Sequence, residues 1–251
     1  MAVEVRKAVL LAAGRGTRLG ELTAKTPKPL LEIAGAPVIA HIVHVLERAG
    51  IREFGIVVGY LAEQMEHWCR EHVASNPHIV LTPIRQAELS GTGGAMLAAE
   101  SFLSSEERFV FGWGDILMDR ANYPRFVEHA RHDEFAVLLA AKRILHAIRG
   151  AAVYIAPDQR VERLDEKPAE GSAKTEWNNA GLFAADQRLF AYLKRLERSE
   201  RGEYELPQAI SRMIADGLVV RAVEMRGFWS DIGTPADVES ARALFKPMRT
   251  R

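Results

Sequence analysis

A basic stretch near the start of the chain has the residue types needed to bind phosphate. From position 14 to position 28 the sequence contains four basic residues and one acid, whereas the whole chain of 251 residues balances 33 basic against 33 acidic residues. At an effective dielectric constant of about 20, a cation about 4 Å from a phosphate oxygen gains on the order of 4 kcal/mol before desolvation is subtracted. Lys28 also stands between Pro27 and Pro29, which fix its backbone more firmly than a solvated side chain requires. Converging basic side chains from this stretch could therefore hold a polyphosphate.

This stretch overlaps a glycine loop, Leu11-Ala-Ala-Gly-Arg-Gly-Thr-Arg18, which follows a hydrophobic strand-like run. Glycine lets a chain turn tightly and brings backbone amides close to a ligand, so such a loop suits phosphate. Two common nucleotide-binding motifs are excluded, because Leu19 replaces the third glycine of G-x-G-x-x-G and the spacing of a P-loop is absent. The loop argues against a dinucleotide oxidoreductase or a P-loop ATPase.

The elements that must position this loop alternate between short strands and amphipathic helices. In the first half the predicted strands are Val5–Leu11, Phe54–Tyr60, Ile79–Arg85, Phe109–Trp113 and Ala136–Ala141, and the predicted helices are Val38–Ala49, Ala62–His72, Gly93–Phe102 and Tyr123–His132. This alternation is typical of an α/β fold with a mostly parallel sheet flanked by helices.

After position 143 the pattern changes to closely spaced strands, which predict a sheet extension or a small lobe. The strands are Ala151–Ile155, Val161–Leu164, Asn179–Ala184 and Val219–Val223, and the helices are Leu189–Leu196, Pro207–Ala215 and Pro235–Leu244. Thr234 is expected to cap the last helix, with Pro235 in its first position. The length allows a single domain over 1–251, divided into halves of about 1–143 and about 144–251.

The composition of the chain indicates which binding partners and which cellular compartment to expect. A net charge of zero gives no global field that would favour nucleic acid or an anionic membrane surface. The first apolar run is too short for a signal peptide and no later run reaches the length of a membrane span, so a cytoplasmic protein is expected. The single cysteine, Cys69, cannot form an internal disulfide.

Six motifs occur in order along almost the whole chain. They are Leu11–Arg18 with its continuation through Pro27–Leu31 and Gly35–Ile39, Gln86 with Gly91–Ala95, Gly112–Asp115, Glu166–Pro168, Asn179–Phe183 and Gly227–Pro235. Together they resemble the signature of the sugar-phosphate nucleotidyltransferases. The resemblance implies a Rossmann-like, GT-A-like α/β domain whose first half binds a nucleoside triphosphate and whose strand-rich second half binds a sugar 1-phosphate.

The resemblance also implies roles for particular residues. The catalytic residues would be Arg18, Lys28, Asp115 and Asp231. The nucleotide-binding residues would be Leu11, Ala12, Ala13, Gly14, Gly16, Thr17, Arg18, Lys28, Gln86, Gly91 and Thr92. The sugar-phosphate-binding residues would be Gly150, Glu166, Lys167 and Asn179. Arg18 would hold the β- and γ-phosphates, and Lys167 would lie near the phosphate of the sugar.

Asp115 and Asp231 are, by the same resemblance, the expected ligands of Mg²⁺. A sugar-phosphate oxygen must attack the α-phosphorus while both substrates are anionic, so a cation and basic side chains have to offset the repulsion and align an in-line displacement. Magnesium usually takes one or two carboxylates plus substrate phosphates and keeps some waters. An aspartate after a strand is ordinarily a turn or cap residue, but the Gly-x-Gly-Asp setting of Asp115 favours the functional interpretation.

The nucleobase and the exact activity stay open at this point. Gln86 is similar to the glutamine that reads a pyrimidine in uridylyl- and thymidylyltransferases, since one amide offers both a donor and an acceptor. Gly91–Ala95 and Gly227–Gly233 also resemble guanylyltransferases for mannose or heptose phosphates. Glu203–Ile210 departs from the pattern, because Pro207 and Gln208 stand where relatives often have Thr-Asp.

Other protein classes remain as alternatives. A glycosyltransferase that uses nucleotide sugars would be expected to carry an Asp-x-Asp metal motif, but position 113 is Trp. A non-catalytic nucleotide-sugar sensor should have lost catalytic charges that are retained here. The expected partners are a nucleoside triphosphate and a sugar 1-phosphate, without nucleic acid or membrane, and a homo-oligomer is left open.

Overall fold

The structure is a computed structural model that describes residues 2–144, 150–169 and 171–245. Its strands are β1 Lys7–Leu11, β2 Glu32–Ile33, β3 Ala36–Pro37, β4 Glu53–Val58, β5 Val80–Arg85, β6 Arg108–Trp113, β7 Ile116–Met118, β8 Val137–Arg143, β9 Ala151–Ile155, β10 Val161–Glu166, β11 Trp177–Asp186, β12 Val220–Met225 and β13 Trp229–Asp231. Its helices are α1 Glu21–Ala24, α2 Val38–Arg48, α3 Ala62–Ser75, α4 Thr92–Ala98, α5 Glu100–Leu103, α6 Asn122–His132, α7 Arg188–Leu193, α8 Leu206–Ala215 and α9 Pro235–Leu244.

The central sheet is mostly parallel, as the alternation of strands and helices predicts. β1 lies between β4 and β6 and is parallel to both, and β5 continues the parallel set beside β4. β11 runs antiparallel between β6 and β8, and β12 pairs in parallel with β8. The β9–β10 hairpin joins the start of β11, where Asn178 pairs with Ala152. This hairpin is the strand-rich extension expected after position 143.

Both faces of the sheet are buried under helices. Ala8 and Leu10 of β1 belong to a core cluster shared with α2, α3 and α6, whereas Val9 and Leu11 belong to a second cluster shared with α4, α7 and α8. Successive side chains of a strand point to opposite faces. The continuous hydrophobic run of β1 is therefore explained by burial on both sides.

The loops that carry the motifs gather at one edge of the sheet. The parallel strands β1, β4, β5 and β6 all end there, and the antiparallel strand β11 begins there. In open α/β sheets the ligand site lies at the carboxyl ends of the parallel strands. Among the described residues, no helix combines the length and the apolar character needed to cross a membrane.

One expected helix is divided, one expected helix cap is confirmed, and one short ribbon was not expected. The helix predicted over Gly93–Phe102 is two helices, α4 and α5, with a break at Ala99. The predicted cap of α9 is confirmed, because Thr234 Oγ1 accepts a hydrogen bond from the N–H of Asp237 at 3.3 Å. The short β7–β13 ribbon was not predicted, and it has a large effect on the site.

Candidate active site

A two-stranded ribbon brings the two predicted metal ligands together. β7 begins directly after Asp115, and its first residue, Ile116, pairs with Asp231 at the end of β13. The N–H of Ile232 then donates to the carbonyl oxygen of Asp115 at 3.1 Å. Main-chain pairing therefore places two carboxylates from opposite ends of the sequence side by side.

Lys28 lies between these carboxylates. Its Nζ is 2.6 Å from Oδ2 of Asp115 and 3.2 Å from Oδ1 of Asp231, and only 9% of its side chain is exposed. The Nη2 atom of Arg18 lies 4.0 Å from Oδ2 of Asp231, with the Arg18 side chain 66% exposed. The structure thus brings all four predicted catalytic residues into one cluster, with a buried ammonium at its centre and a solvent-facing guanidinium at its rim.

The charges in this cluster shift one another's protonation. Burial disfavours the charged ammonium of Lys28, but the attraction of Asp115 and Asp231 outweighs it and raises the pKa of Lys28 above its ordinary value. Burial and the neighbouring Asp115 carboxylate raise the pKa of Asp231, against the opposing effect of Lys28. Lys28 is therefore protonated and positively charged at neutral pH.

The second carboxylate oxygen of Asp115, which does not contact Lys28, indicates whether a metal ion could bind in this cluster. Oδ1 of Asp115 is buried and has no hydrogen-bond partner among the described residues, although buried carboxylate oxygens normally have a donor or a cation beside them. The adjacent Asp231 side chain is 42% exposed and so accessible from solvent. Two carboxylates with a free, inward-facing oxygen form a donor set that suits a hard divalent cation.

The glycine loop is held by hydrogen bonds at its start and is exposed after residue 13. Ala12 donates to the carbonyl of Val57, Ala13 accepts from Tyr60, and residues 11–13 are buried. A Cβ placed on Gly14 would meet no atom within 4 Å, so the backbone there faces open space. Gly16 has a left-handed φ of 63°, and a Cβ there would lie 3.3 Å from the Lys28 Cβ. The loop is therefore exposed at Gly14 while it packs against Lys28 at Gly16.

The loop after β5 contains the residue predicted to read the base. Gln86 is half-buried, and its Nε2 donates to the carbonyl of Gly91 at 3.2 Å. This contact fixes the amide plane and leaves Oε1 and a second N–H for a ligand. Thr92 begins α4, but its Oγ1 accepts from the N–H of Leu206 at 3.1 Å. Thr92 therefore also ties this loop to α8.

The residues predicted to bind the sugar phosphate lie where the hairpin meets β11. The N–H of Lys167 donates to the carbonyl of Gly150 at 3.0 Å, and Lys167 is exposed with a left-handed φ of 44°. Glu166 ends β10 with its side chain 24% exposed. Asn179 is buried, and its Oδ1 accepts from the N–H of Gly181 at 3.0 Å. This orientation leaves the amide nitrogen of Asn179 available as a donor.

Direct contacts connect the sugar-side motif, Asn179–Phe183, to the carboxylate cluster of Asp115, Asp231 and Lys28. The indole Nε1 of Trp229 on β13 donates to the carbonyl of Ala180 at 3.1 Å. Gly181 has a left-handed φ of 81°, and a Cβ there would lie 2.4 Å from Cδ1 of Ile116, the residue that follows Asp115. The Asn179–Phe183 motif and the Gly112–Asp115 motif therefore pack against each other, and glycine is required where they meet.

Comparison with known proteins identifies the family. The family profile described as nucleotidyl transferase matches residues 7–246. The chain belongs to the nucleotidyl transferase family. This nucleotidyl transferase is 33% identical over 238 residues to the bifunctional protein GlmU of Methanococcus maripaludis, covering 95% of this chain and 54% of the relative. The chain thus spans about half the length of the GlmU relatives it matches.

One further relative and one solved structure carry different names. The mannose-1-phosphate guanylyltransferase catalytic subunit beta of Drosophila pseudoobscura pseudoobscura is 30% identical over 240 residues, which cover 95% of this nucleotidyl transferase and 62% of that protein. A protein described as a glucose-1-phosphate thymidylyltransferase from Bacillus anthracis, solved with a sucrose, superimposes with a TM-score of 0.85 at 24% identity and covers 99% of this chain and 98% of that one. The structural likeness confirms the Rossmann-like α/β fold.

Sequence reasoning missed two charged residues beside Glu166. The Nη2 atom of Arg201 lies 2.6 Å from Oε1 of Glu205 and 3.7 Å from Oε1 of Glu166. In the sequence, Arg201 and Glu205 have the spacing of an ordinary surface ion pair in a helix. Glu205 lies in Glu203–Ile210, the stretch that departs from the family pattern, whereas Arg201 precedes it and had no signal in the sequence.

Proposed function

We propose that this nucleotidyl transferase transfers a nucleotidyl group from a nucleoside triphosphate to a sugar 1-phosphate, giving a nucleoside diphosphate sugar and pyrophosphate in a Mg²⁺-dependent reaction. The observation that carries this proposal is the cluster at the mouth of the glycine loop, where Lys28 joins Asp115 and Asp231. Because two acids and one buried ammonium meet beside the exposed glycine loop, the cluster suits an anionic ligand that arrives with a divalent cation.

The chain's own residues would act mainly by positioning and by offsetting charge. An oxygen of the sugar phosphate attacks the α-phosphorus, and the bond from that phosphorus to the bridging oxygen of the β-phosphate breaks. Lys28, held as a cation, would face the reacting phosphates, and Arg18 would stabilise the charge that grows on the departing pyrophosphate. Asp115 and Asp231 would hold Mg²⁺, which when bound supplies Lewis-acid charge neutralisation.

The sugar phosphate would bind beside the start of β11. Glu166 and Asn179 can accept and donate hydrogen bonds to sugar hydroxyls, and the exposed ammonium of Lys167 can pair with the phosphate. The packing of Gly181 against Ile116 supports this placement, because it brings the sugar-side motif up to the carboxylate cluster.

Gln86 supports UTP or dTTP as the preferred nucleotide. Its amide is anchored on Gly91 and retains both a donor and an acceptor, the pair that a uracil or thymine edge requires. GTP is the second candidate, because a guanylyltransferase is among the relatives that cover 95% of the chain.

A substrate matrix tests the proposal. UTP, dTTP, GTP and ATP are each combined with glucose 1-phosphate, mannose 1-phosphate and an N-acetylhexosamine 1-phosphate, with and without Mg²⁺, and pyrophosphate release is measured. At least one pair should react only when Mg²⁺ is present. Binding of nucleotide sugar without pyrophosphate release from any pair would contradict the proposal and favour a non-catalytic sensor.

A further inference from the structure

Arg201 and two acids form a compact charged cluster on the sugar side of the protein. The guanidinium of Arg201 holds Oε1 of Glu205 with two hydrogen bonds, from Nε at 3.1 Å and Nη2 at 2.6 Å. The same Nη2 lies 3.7 Å from Oε1 of Glu166. Glu205 is only 5% exposed as a residue, so one half-exposed guanidinium bridges a buried acid and the acid predicted to bind the sugar.

The carboxylate of Glu205 contacts Arg201 and does not cap the helix that follows it. Glu205 stands at the N-cap of α8, where an acidic side chain ordinarily accepts the free N–H groups of the helix, but it makes no side-chain cap hydrogen bond. Its carboxylate instead meets Arg201. At the start of α8, Glu205 therefore forms an ion pair with Arg201 in place of the usual cap hydrogen bond.

The segment around Glu205 is anchored on the loop that is predicted to bind the base. Tyr204 donates its N–H to the carbonyl of Ser90 at 2.7 Å and accepts from the N–H of Gly93 at 2.7 Å. Leu206 donates to Oγ1 of Thr92. Because these bonds hold the residues on both sides of Glu205, its backbone has a fixed location relative to the loop predicted to bind the base.

The electrostatic consequence falls on Glu166. Burial first, and then repulsion from Glu205 and Glu203, raise the pKa of Glu166 to about 7, while Arg201 opposes the rise. Other charged groups nearby are the chain neighbours Asp165 and Lys167, and Glu197, Arg198 and Arg212, which line a shallow groove together with Glu166. Of these charged groups, Arg201 is the one that forms an ion pair with Glu166 itself, at 3.7 Å.

We propose that Arg201 and Glu205 are positioning residues for Glu166, and that this pair sets the charge with which Glu166 meets the sugar phosphate. The inference rests on the proposed function, since it concerns the sugar side of that site. An ionised Glu166 accepts hydrogen bonds from sugar hydroxyls more strongly than a neutral one. Sugar-phosphate binding therefore strengthens as the pH rises through about 7, and the two neighbours move that transition in opposite directions.

The proposal is tested by substituting Arg201 and Glu205 separately, because the two substitutions should shift the pH transition in opposite directions. In Arg201→Ala the cation that favours ionised Glu166 is lost, so the transition moves to higher pH, and KM for the sugar 1-phosphate at pH 7 rises about threefold to tenfold. In Glu205→Gln the repelling carboxylate is lost and Arg201 is left to Glu166, so the transition moves to lower pH. Arg201→Lys keeps the charge and stays near the wild-type profile.

The experiment measures kcat and KM against pH for the sugar 1-phosphate with the highest kcat/KM in the matrix. KM for the nucleotide is the internal reference and should keep its pH dependence in every variant. Glu166→Gln should lose the transition and retain only the ionisation of the substrate phosphate, whose second pKa is about 6. Arg188→Ala, which removes a surface pair with Asp186, is the matched arginine control.

The results separate the inference from the proposed function. Shifts of the same sign in Arg201→Ala and Glu205→Gln, or a transition that survives in Glu166→Gln, would overturn the inference, because general loss of structure moves both variants alike. If the wild-type protein releases no pyrophosphate from any pair, the proposed function fails, and calorimetric binding of glucose 1-phosphate across the same pH range still decides the signs of the shifts.

Discussion

The N–H of Ile232 donates to the carbonyl oxygen of Asp115 at 3.1 Å. This main-chain bond closes the β7–β13 ribbon, in which Asp231 pairs with Ile116. The backbone positions of the two aspartates are consequently set by main-chain pairing, and Lys28 bridges their carboxylates. Their side chains can therefore be changed without removing the contact that brings them together.

Asp115→Asn should abolish turnover while the fold is retained. The substitution removes one negative charge from the proposed metal site with little change in volume, and the Ile232 hydrogen bond is to the backbone. We expect kcat to fall by roughly a hundredfold or more with a small change in Tm. Asp186→Asn, at the far end of β11 in a surface pair with Arg188, is the matched control. Near-normal turnover by Asp115→Asn at ordinary Mg²⁺ concentration would refute the metal assignment.

Lys28→Met should make stability depend on Mg²⁺. The ammonium is 9% exposed between two acids, and its loss leaves two carboxylates facing each other. Removal of one partner from a buried pair costs about 3–5 kcal/mol, and the exposure of Asp231 reduces this to roughly 1–3 kcal/mol. Added Mg²⁺ should restore much of the lost Tm in the variant and change that of the wild type less. An equal response of both proteins in a thermal melt would argue against a shared cation site.

The sequence predicted the parallel sheet and the residues of the carboxylate cluster, but not the connections that assemble them. β1 was predictable because a continuous apolar run that ends in a glycine loop has few other structures. The three-residue strands β7 and β13 carry no periodic signal, and each forms only because the other is present. Arg201 and Glu205 were missed for a related reason, since an ion pair gives no local sign of the third group, Glu166, that it faces.

Gly181→Ala should lower both stability and activity. At a φ of 81° a side chain is strained, and its Cβ would lie 2.4 Å from Cδ1 of Ile116. Strain and overpacking together should cost about 2–4 kcal/mol, and displacement of Ile116 should move the adjacent Asp115. Gly217→Ala is the control, because its φ is 80° but a Cβ there meets nothing within 4 Å. Denaturant unfolding that gives equal losses for the two variants would show that the Ile116 contact has no effect.

Arg18→Ala and Lys167→Ala should impair different properties, turnover in the first variant and sugar-phosphate binding in the second. Arg18→Ala removes the positive charge that we propose faces the departing pyrophosphate, so turnover should fall more than nucleotide affinity. Lys167→Ala should weaken sugar-phosphate binding by about 1.5–3 kcal/mol, or roughly ten- to a hundredfold, because one charge-assisted contact is lost. Calorimetric titrations of nucleotide and sugar phosphate, with steady-state kinetics, separate the two roles. Equal damage to nucleotide binding in Lys167→Ala would place that residue in the other half of the site.

Gln86→Glu should change the choice of base. The wild-type amide is held by Gly91 and offers one donor and one acceptor, which match the carbonyl and N–H of uracil or thymine. A carboxylate offers only acceptors, so kcat/KM for UTP and dTTP should fall by about ten- to a hundredfold. CTP should lose less, since its exocyclic amine donates to a carboxylate.

Gln86→Ala provides the control for the lost Gly91 contact, because it removes the hydrogen bond without adding charge. Steady-state kinetics with each triphosphate measure the effect, and a wild-type preference for GTP or ATP over UTP and dTTP would show that Gln86 does not read a pyrimidine.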